Sequence, residues 1–207
     1  MSQFDMFAPP PAPPGPPARQ RLRSEALRHD VFFALRPDAA DARRLAAHAA
    51  QEDARLGVGG KPMEPERLHV SLYLMVRYER GDPFPQADVE RWIQAGSAVP
   101  RTAFDVQFDG VATFGGKTNP LVLKSRDGQG VAGVRAFQRE LGIALANAGE
   151  TLRERPFEPH MSMSYQGMRI AEQATPSVSW TPGELVLIDS HVGKHIHEVL
   201  AAWPLRA

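Results

Sequence analysis

Two short stretches of this chain carry the same four-residue pattern, His69-Val70-Ser71-Leu72 and His160-Met161-Ser162-Met163. Read as β-strand, each copy points His and Ser out of one face, because side chains alternate with period two and the rise is about 3.3 Å per residue. That spacing suits one phosphate. The copies lie about half a chain apart, so two similar halves facing each other across a cleft would bring two imidazoles and two hydroxyls together. A lone strand histidine is ordinarily a half-buried imidazole satisfied by a neighbour. Here Leu68 and Val70 in the first copy, and Met161 and Met163 in the second, place apolar residues on the opposite face. Both strands then bury one side and present His and Ser on the other.

The reaction that calls for two histidines and two hydroxyls is acid–base cleavage of a phosphodiester. One neutral imidazole takes a proton from the attacking water or hydroxyl while an imidazolium protonates the departing oxygen, and an unperturbed pKa of about 6.5 lets both forms coexist. The hydroxyls of Ser71 and Ser162 would hold non-bridging phosphate oxygens as charge develops. A strained five-membered cyclic phosphate lowers the demand on the catalyst. From the residues alone, which histidine is acid and which is base stays open, since it depends on the side of the phosphate each occupies.

Around this pair, Lys117 in a glycine turn, and Arg155 with Arg153 before the second motif, are candidate phosphate contacts, although such cations are more often simply solvated. Tyr165 beside the second motif, and Tyr73 on the His face of the first, are candidates to stack a base or donate a hydrogen bond. Phe157 is expected in the core. The absence of cysteine removes disulfides, thiolate metal ligands and a cysteine nucleophile. A rival donor set is His191, His195 and His197, whose last pair at strand spacing would make a metal-dependent hydrolase. No carboxylate–histidine metal signature surrounds it, so neither metal nor cofactor is expected. A second rival is a non-catalytic module that binds RNA ends or cyclic nucleotides. Intact His and Ser in both copies argue against it, because a binder needs no acid–base pair.

These residues must be positioned by 207 residues, 43% of them hydrophobic, which is enough for one sizeable domain. Lys and Arg (24) balance Asp and Glu (24), so no overall basic field exists to grip duplex DNA, and a nucleic-acid partner should be short or an end. With no basic-then-apolar N-terminal segment and no run of transmembrane length, the expectation is a cytoplasmic monomer without membrane contact. Residues 1–24, containing APPPAPPGPP from Ala8 to Pro17, read as a disordered proline-rich tail, and 25–207 as a single domain.

Within that domain, Asp30 to Leu35 reads as a buried strand ending at Pro37. A helix follows, with Asp38 as N-cap, an apolar face of Ala42, Leu45, Ala46 and Ala49, and a stop at Gly57. Leu68 to Val76 alternates, with Leu68, Val70, Leu72, Leu74 and Val76 on one face and His69, Ser71 and Tyr73 on the other. Asp88 to Ala98 is helical through Val89, Trp92 and Ile93. Phe104 to Phe114 and Pro120 to Lys124 are strands, and Val134, Phe137, Leu141 and Leu145 make a further helical stripe capped at Gly149. Pro159 to Tyr165, Glu184 to Asp189 and His195 to Ala202 complete the strands, the last two joined around Gly193. The pattern favours an α+β arrangement over a doubly wound parallel sheet.

At its two motifs the sequence resembles the two-histidine phosphoesterases, and within them the RNA 2',3'-cyclic phosphodiesterases also called 2'-5' RNA ligases. The family's doubled His-x-Thr/Ser-apolar signature is matched by His69-Val70-Ser71-Leu72 and His160-Met161-Ser162-Met163. Val31-Phe32-Phe33-Ala34-Leu35 is similar to its opening strand, Phe114-Gly115-Gly116-Lys117 to its glycine-bearing turn, and Leu185 to Ser190 with Trp203-Pro204-Leu205 to its closing strands. The likeness spans about Asp30 to Leu205. It implies a bilobal, pseudo-symmetric α+β fold, two antiparallel sheets around a central cleft with helices outside. It also implies metal-independent hydrolysis of RNA 2',3'-cyclic phosphate ends to 2'-phosphates, with weak reverse 2'-5' joining in some members. His69 and His160 would be the acid–base pair, with His160 activating water and His69 protonating the leaving oxygen, and Ser71 and Ser162 the phosphate ligands. The chain departs from the pattern in having serine for the commoner threonine in both motifs, and Ser164-Tyr165-Gln166 where many members place an arginine.

Overall fold

A computed structural model of the chain describes residues 28–115, 118–152, 156–165 and 167–206. The proline-rich tail, Lys117, Arg153 and Arg155 lie outside the described residues. The first strand, β1 (Arg28–Pro37), runs through the middle of a sheet and is covered on both faces, which is why its sequence is continuously apolar rather than alternating. At Pro37 the chain turns into α1 (Ala39–Leu56). The Asp38 side chain accepts the Asp41 amide at 2.8 Å to open this helix, and Gly57 at φ 64° closes it. Ala42, Leu45 and Ala49 are buried on the expected face, and Glu52 joins them with its carboxylate held by Arg55.

The remaining elements are β2 (Lys61–Pro62), a short 3-10 turn at Pro65–Arg67, β3 (Val70–Glu79), α2 (Gln86–Ala98), β4 (Val106–Thr113), β5 (Leu121–Lys124), α3 (Ala132–Asn147), β6 (His160–Tyr165), β7 (Gln173–Trp180), β8 (Pro182–His191) and β9 (Ile196–Pro204). They form two sheets, ordered β3-β1-β8-β9 and β2-β6-β5-β4-β7, with antiparallel pairing throughout both. The α+β, two-sheet expectation is met. The lobes are not the sequence halves, however, because β8 and β9 return to pair beside β1, so both ends of the described chain build the first sheet.

One apolar core runs through both sheets and beneath the helices, containing Phe33, Trp92, Phe108, Leu141, Met161 and Trp203 among others. Burial of each such large side chain contributes about 1.5–3 kcal/mol. The helix α2 reaches β9 closely because residue 96 is glycine: a Cβ there would lie 2.6 Å from the Trp203 ring. On the opposite face of the first sheet, Phe32, Ala34, Val186 and Ile188 form a smaller patch. The strand β7 has no clear alternation in its sequence and contains Pro176. It is an edge strand, where a missing amide hydrogen is tolerated.

The alternation expected from Leu68 to Val76 breaks in the structure. Ala34 pairs with Ser71 but Phe33 with Tyr73, and Phe32 pairs with Leu74 but Val31 with Val76, so Leu72 and Met75 are extra residues in two β-bulges. Each inserted residue switches the faces that follow it. Tyr73 therefore leaves the His face and packs with the core, and Leu74 takes its place, 45% exposed.

Candidate active site

The first motif enters from the 3-10 turn. Leu68 and Val70 are buried on either side of His69 and fix the backbone, leaving the imidazole in the opening between the sheets. Its Nδ1 lies 2.7 Å from the Arg67 carbonyl. A carbonyl only accepts, so Nδ1 carries the proton and Nε2 is the working nitrogen. The second motif repeats this device. Met161 is fully buried next to His160, and His160 Nδ1 lies 2.8 Å from the Glu158 carbonyl, again two residues back. Each ring also rests near a phenylalanine: Phe32 stacks on His69 with centroids 5.2 Å apart, and Phe114 lies 4.6 Å from His160.

The parallel extends to the backbone after each serine. Val122 pairs with Ser162 but Leu121 with Ser164, so Met163 is an extra residue in a bulge, as Leu72 is after Ser71. Both bulged residues are buried, Leu72 at 6% and Met163 at 3% exposure, which explains the apolar fourth position of the motif. The strands β3 and β6 come into contact where the sheets meet. His69 and His160 thereby line one cavity of about 880 Å³.

Ser71 and Tyr165 line this cavity with the histidines. Ser162 is half-buried and lies outside the lining residues. Tyr73 borders the cavity, but its hydroxyl is turned to α3, where a Cβ on Gly142 would lie 2.5 Å from it. Phe157 packs against the core, as expected, and also reaches the cavity wall. The rival histidines separate. His191 is buried beside His29, His195 is exposed and accepts from Arg67 at 3.0 Å, and His197 stands edge-on to His69 with centroids 5.3 Å apart.

Sequence patterning does not mark the cations that the fold supplies. Lys61, Arg67, Arg28 and Arg77 line the cavity. Asp30 bridges the last two at 3.2 and 3.5 Å, and Arg67 is shared with His195 at 3.0 Å and Glu64 at 4.0 Å. The proximity of Arg67 to the first motif was the available signal. His197 was visible only as half of a His-x-His pair, because its approach to His69 depends on β9 lying two strands away from β1.

Desolvation in the cleft lowers the His69 imidazole to about 4, and the nearby His160, Arg67 and Arg36 add to this while the carbonyl bond to Arg67 opposes it. Burial, then His69 and the same arginines, lowers His197 to about 3. Both rings are therefore neutral in the free protein near neutral pH. A bound phosphate, bringing negative charge, would shift His69 back towards protonation.

Comparison with known proteins places this geometry. The chain resembles three solved structures: one described as a phosphoesterase (18% identity, 88% of this chain and 100% of that one covered, TM-score 0.62), E. coli LigT complexed with 3'-AMP (18%, 87% and 99%, 0.62) and TT0787 of Thermus thermophilus (19%, 86% and 98%, 0.62). At these identities the likeness establishes the fold. No curated protein matches the chain by sequence. Residues 33–194, which hold both motifs, β8 and half of β1, match the family model of the 2'-5' RNA ligase superfamily, and the chain belongs to that superfamily.

Proposed function

We propose that this protein is a metal-independent phosphodiesterase that opens 2',3'-cyclic phosphate ends of RNA to 2'-phosphates. The observation that carries the reading is the matched suspension of His69 and His160, each held through Nδ1 by a carbonyl two residues back, with both rings on one cavity. Membership of the superfamily supports phosphoester chemistry, and the LigT structure with 3'-AMP is consistent with a nucleotide-sized ligand in a cleft of this fold.

In the forward reaction the water oxygen bonds to phosphorus as the bond from phosphorus to O3' breaks. His160 Nε2 takes the water proton, and His69 Nε2 gives one to O3'. Because burial keeps His69 neutral in the free site, it takes a proton from solvent as the anionic substrate binds and raises its affinity for one. With a 5'-hydroxyl attacking in place of water, the same pair makes the weak 2'-5' join. Ser71 and Ser162 hold non-bridging oxygens, Tyr165 stacks a base, and Lys117, Arg155, Lys61 and Arg67 supply positive charge. Phosphorus NMR of a cyclic-phosphate-ended oligoribonucleotide incubated with the protein and EDTA tests this. A 2'-phosphate product is expected; a 3'-phosphate product, or binding without turnover, contradicts it.

A further inference from the structure

Behind the first sheet, on the face opposite His69, lies a second polar cluster that the proposed reaction does not use. Alternation along β1, β8 and β9 puts His29, Asp189, His191 and Glu198 on the core side, with His29 paired to His191 across β1 and β8, and Asp189 paired to Glu198 across β8 and β9. His69, Phe32 and His197 belong to the other face. The cluster is deeply buried: Asp189 is 0% exposed, His191 1%, and His29 and Glu198 9% each.

Its hydrogen bonding is incomplete at one end. Asp189 is well held, with Oδ1 3.0 Å from His29 Nδ1 and Oδ2 accepting from the Tyr78 hydroxyl at 2.5 Å. Both ring nitrogens of His191, by contrast, are buried without a hydrogen-bond partner, as is Oε2 of Glu198. His191 Nε2 and Glu198 Oε2 stand 3.4 Å apart without the angle of a hydrogen bond. Buried polar atoms of this kind are rare unless something fills the gap.

We infer that His29, Asp189 and His191, with Glu198 set beside His191 as an outer partner, form a structural site for a divalent transition-metal ion, zinc by preference. Among the described residues, donor atoms of His29, Asp189 and His191 lie within 4.8 Å of one another. Zinc takes imidazole and carboxylate donors at about 2.0–2.2 Å in a tetrahedron, which separates neighbouring donors by roughly 3.3 Å. The His29–Asp189 pair, at 3.0 Å, is close to that spacing. Two imidazole nitrogens with one carboxylate oxygen also match a borderline ion better than calcium or magnesium, which favour all-oxygen shells. The Tyr78 hydroxyl orients Asp189 from outside, as outer-shell groups do for metal-bound carboxylates. The ion would tie β1 and β8 together, with Glu198 of β9 against His191, at the end of the sheet next to the Val192–His195 turn, which borders the cleft. It takes no part in the proton transfers, so this inference and the proposed function stand or fall separately.

The test uses the full chain without a histidine tag, stripped with dipicolinate and confirmed folded by circular dichroism. Cobalt(II) titration should give visible absorption bands saturating at about one equivalent per chain, zinc should bleach them, and zinc should raise Tm by several degrees. His191→Gln and Glu198→Gln should each weaken cobalt binding by about tenfold or more, while His69→Ala and His195→Ala leave it unchanged. A folded wild-type chain with no cobalt spectrum and no zinc-dependent Tm overturns the site. So does unchanged binding in both cluster variants, which would place the ion elsewhere.

Discussion

His69 and His160 are held in the same way, each by a hydrogen bond from Nδ1 to the carbonyl two residues earlier, 2.7 Å to Arg67 and 2.8 Å to Glu158. The bond fixes the tautomer and aims Nε2 into the shared cleft. Their surroundings differ, because His69 also meets His197 and two arginines.

That difference makes ligand binding a proton-linked event. With His69 lowered to about 4 in the free protein, binding of a phosphate anion at about pH 6.5 should draw in a proton as the ligand's charge raises the imidazole. Calorimetry of 2'-AMP binding in buffers of different ionisation enthalpy measures this directly. Net uptake of a large fraction of a proton is expected. No uptake would mean that His69 stays neutral, and would give it the role of base.

Stability should fall on acidification for the same reason. His69 and His197 have folded values of about 4 and about 3, below the unfolded value near about 6.5, so the unfolded chain binds protons first as the pH drops. Their contribution is fully present above about 6.5 and is lost progressively as the pH falls through the folded values. Thermal melts between about pH 7 and 4 should show a declining Tm, and His197→Phe should flatten the decline. A slope that does not change in this variant would contradict the assignment.

The serines should differ in weight. Ser71 lines the cavity and Ser162 does not. Ser71→Ala should lower kcat by about tenfold to a hundredfold, as loss of a donor to a developing charge does, and Ser162→Ala by less. Equal or inverted effects, measured by steady-state kinetics on a cyclic-phosphate substrate, would show that the ligand sits nearer β6 than the cavity wall indicates.

The bulge at Leu72 predicts which tyrosine matters. The Tyr73 hydroxyl is turned towards Gly142, so Tyr73→Phe should change kcat and KM by no more than about twofold. Tyr165→Ala should raise KM by about tenfold, the cost of one base-stacking contact. A large effect at Tyr73 and none at Tyr165 would reverse the face assignment.

The elements that were legible in the sequence are those set by local chemistry. The stripe Val134, Phe137, Leu141 and Leu145 is the buried face of α3, and Asp38 and Gly57 bound α1 as read. The doubled motif disclosed the histidines for the same reason, since His-x-Ser on a strand with apolar neighbours needs no long-range information. The bulges were not legible, because an inserted residue leaves no mark in composition yet exchanges Tyr73 for Leu74 on the cleft side. Nor was the company of His197 or His29. Both depend on β8 and β9 pairing beside β1 across most of the chain, a contact that periodicity cannot register.

The central claim is that His69 and His160 act as one acid–base unit, and the most direct measurement is kcat of His69→Ala, His160→Ala and the double variant on a 2',3'-cyclic phosphate end with EDTA present. Each single variant should lose about a hundredfold to ten-thousandfold, and the double variant should lose little more than either, because residues that act together do not contribute additively. Near-parental activity in either single variant would contradict the account.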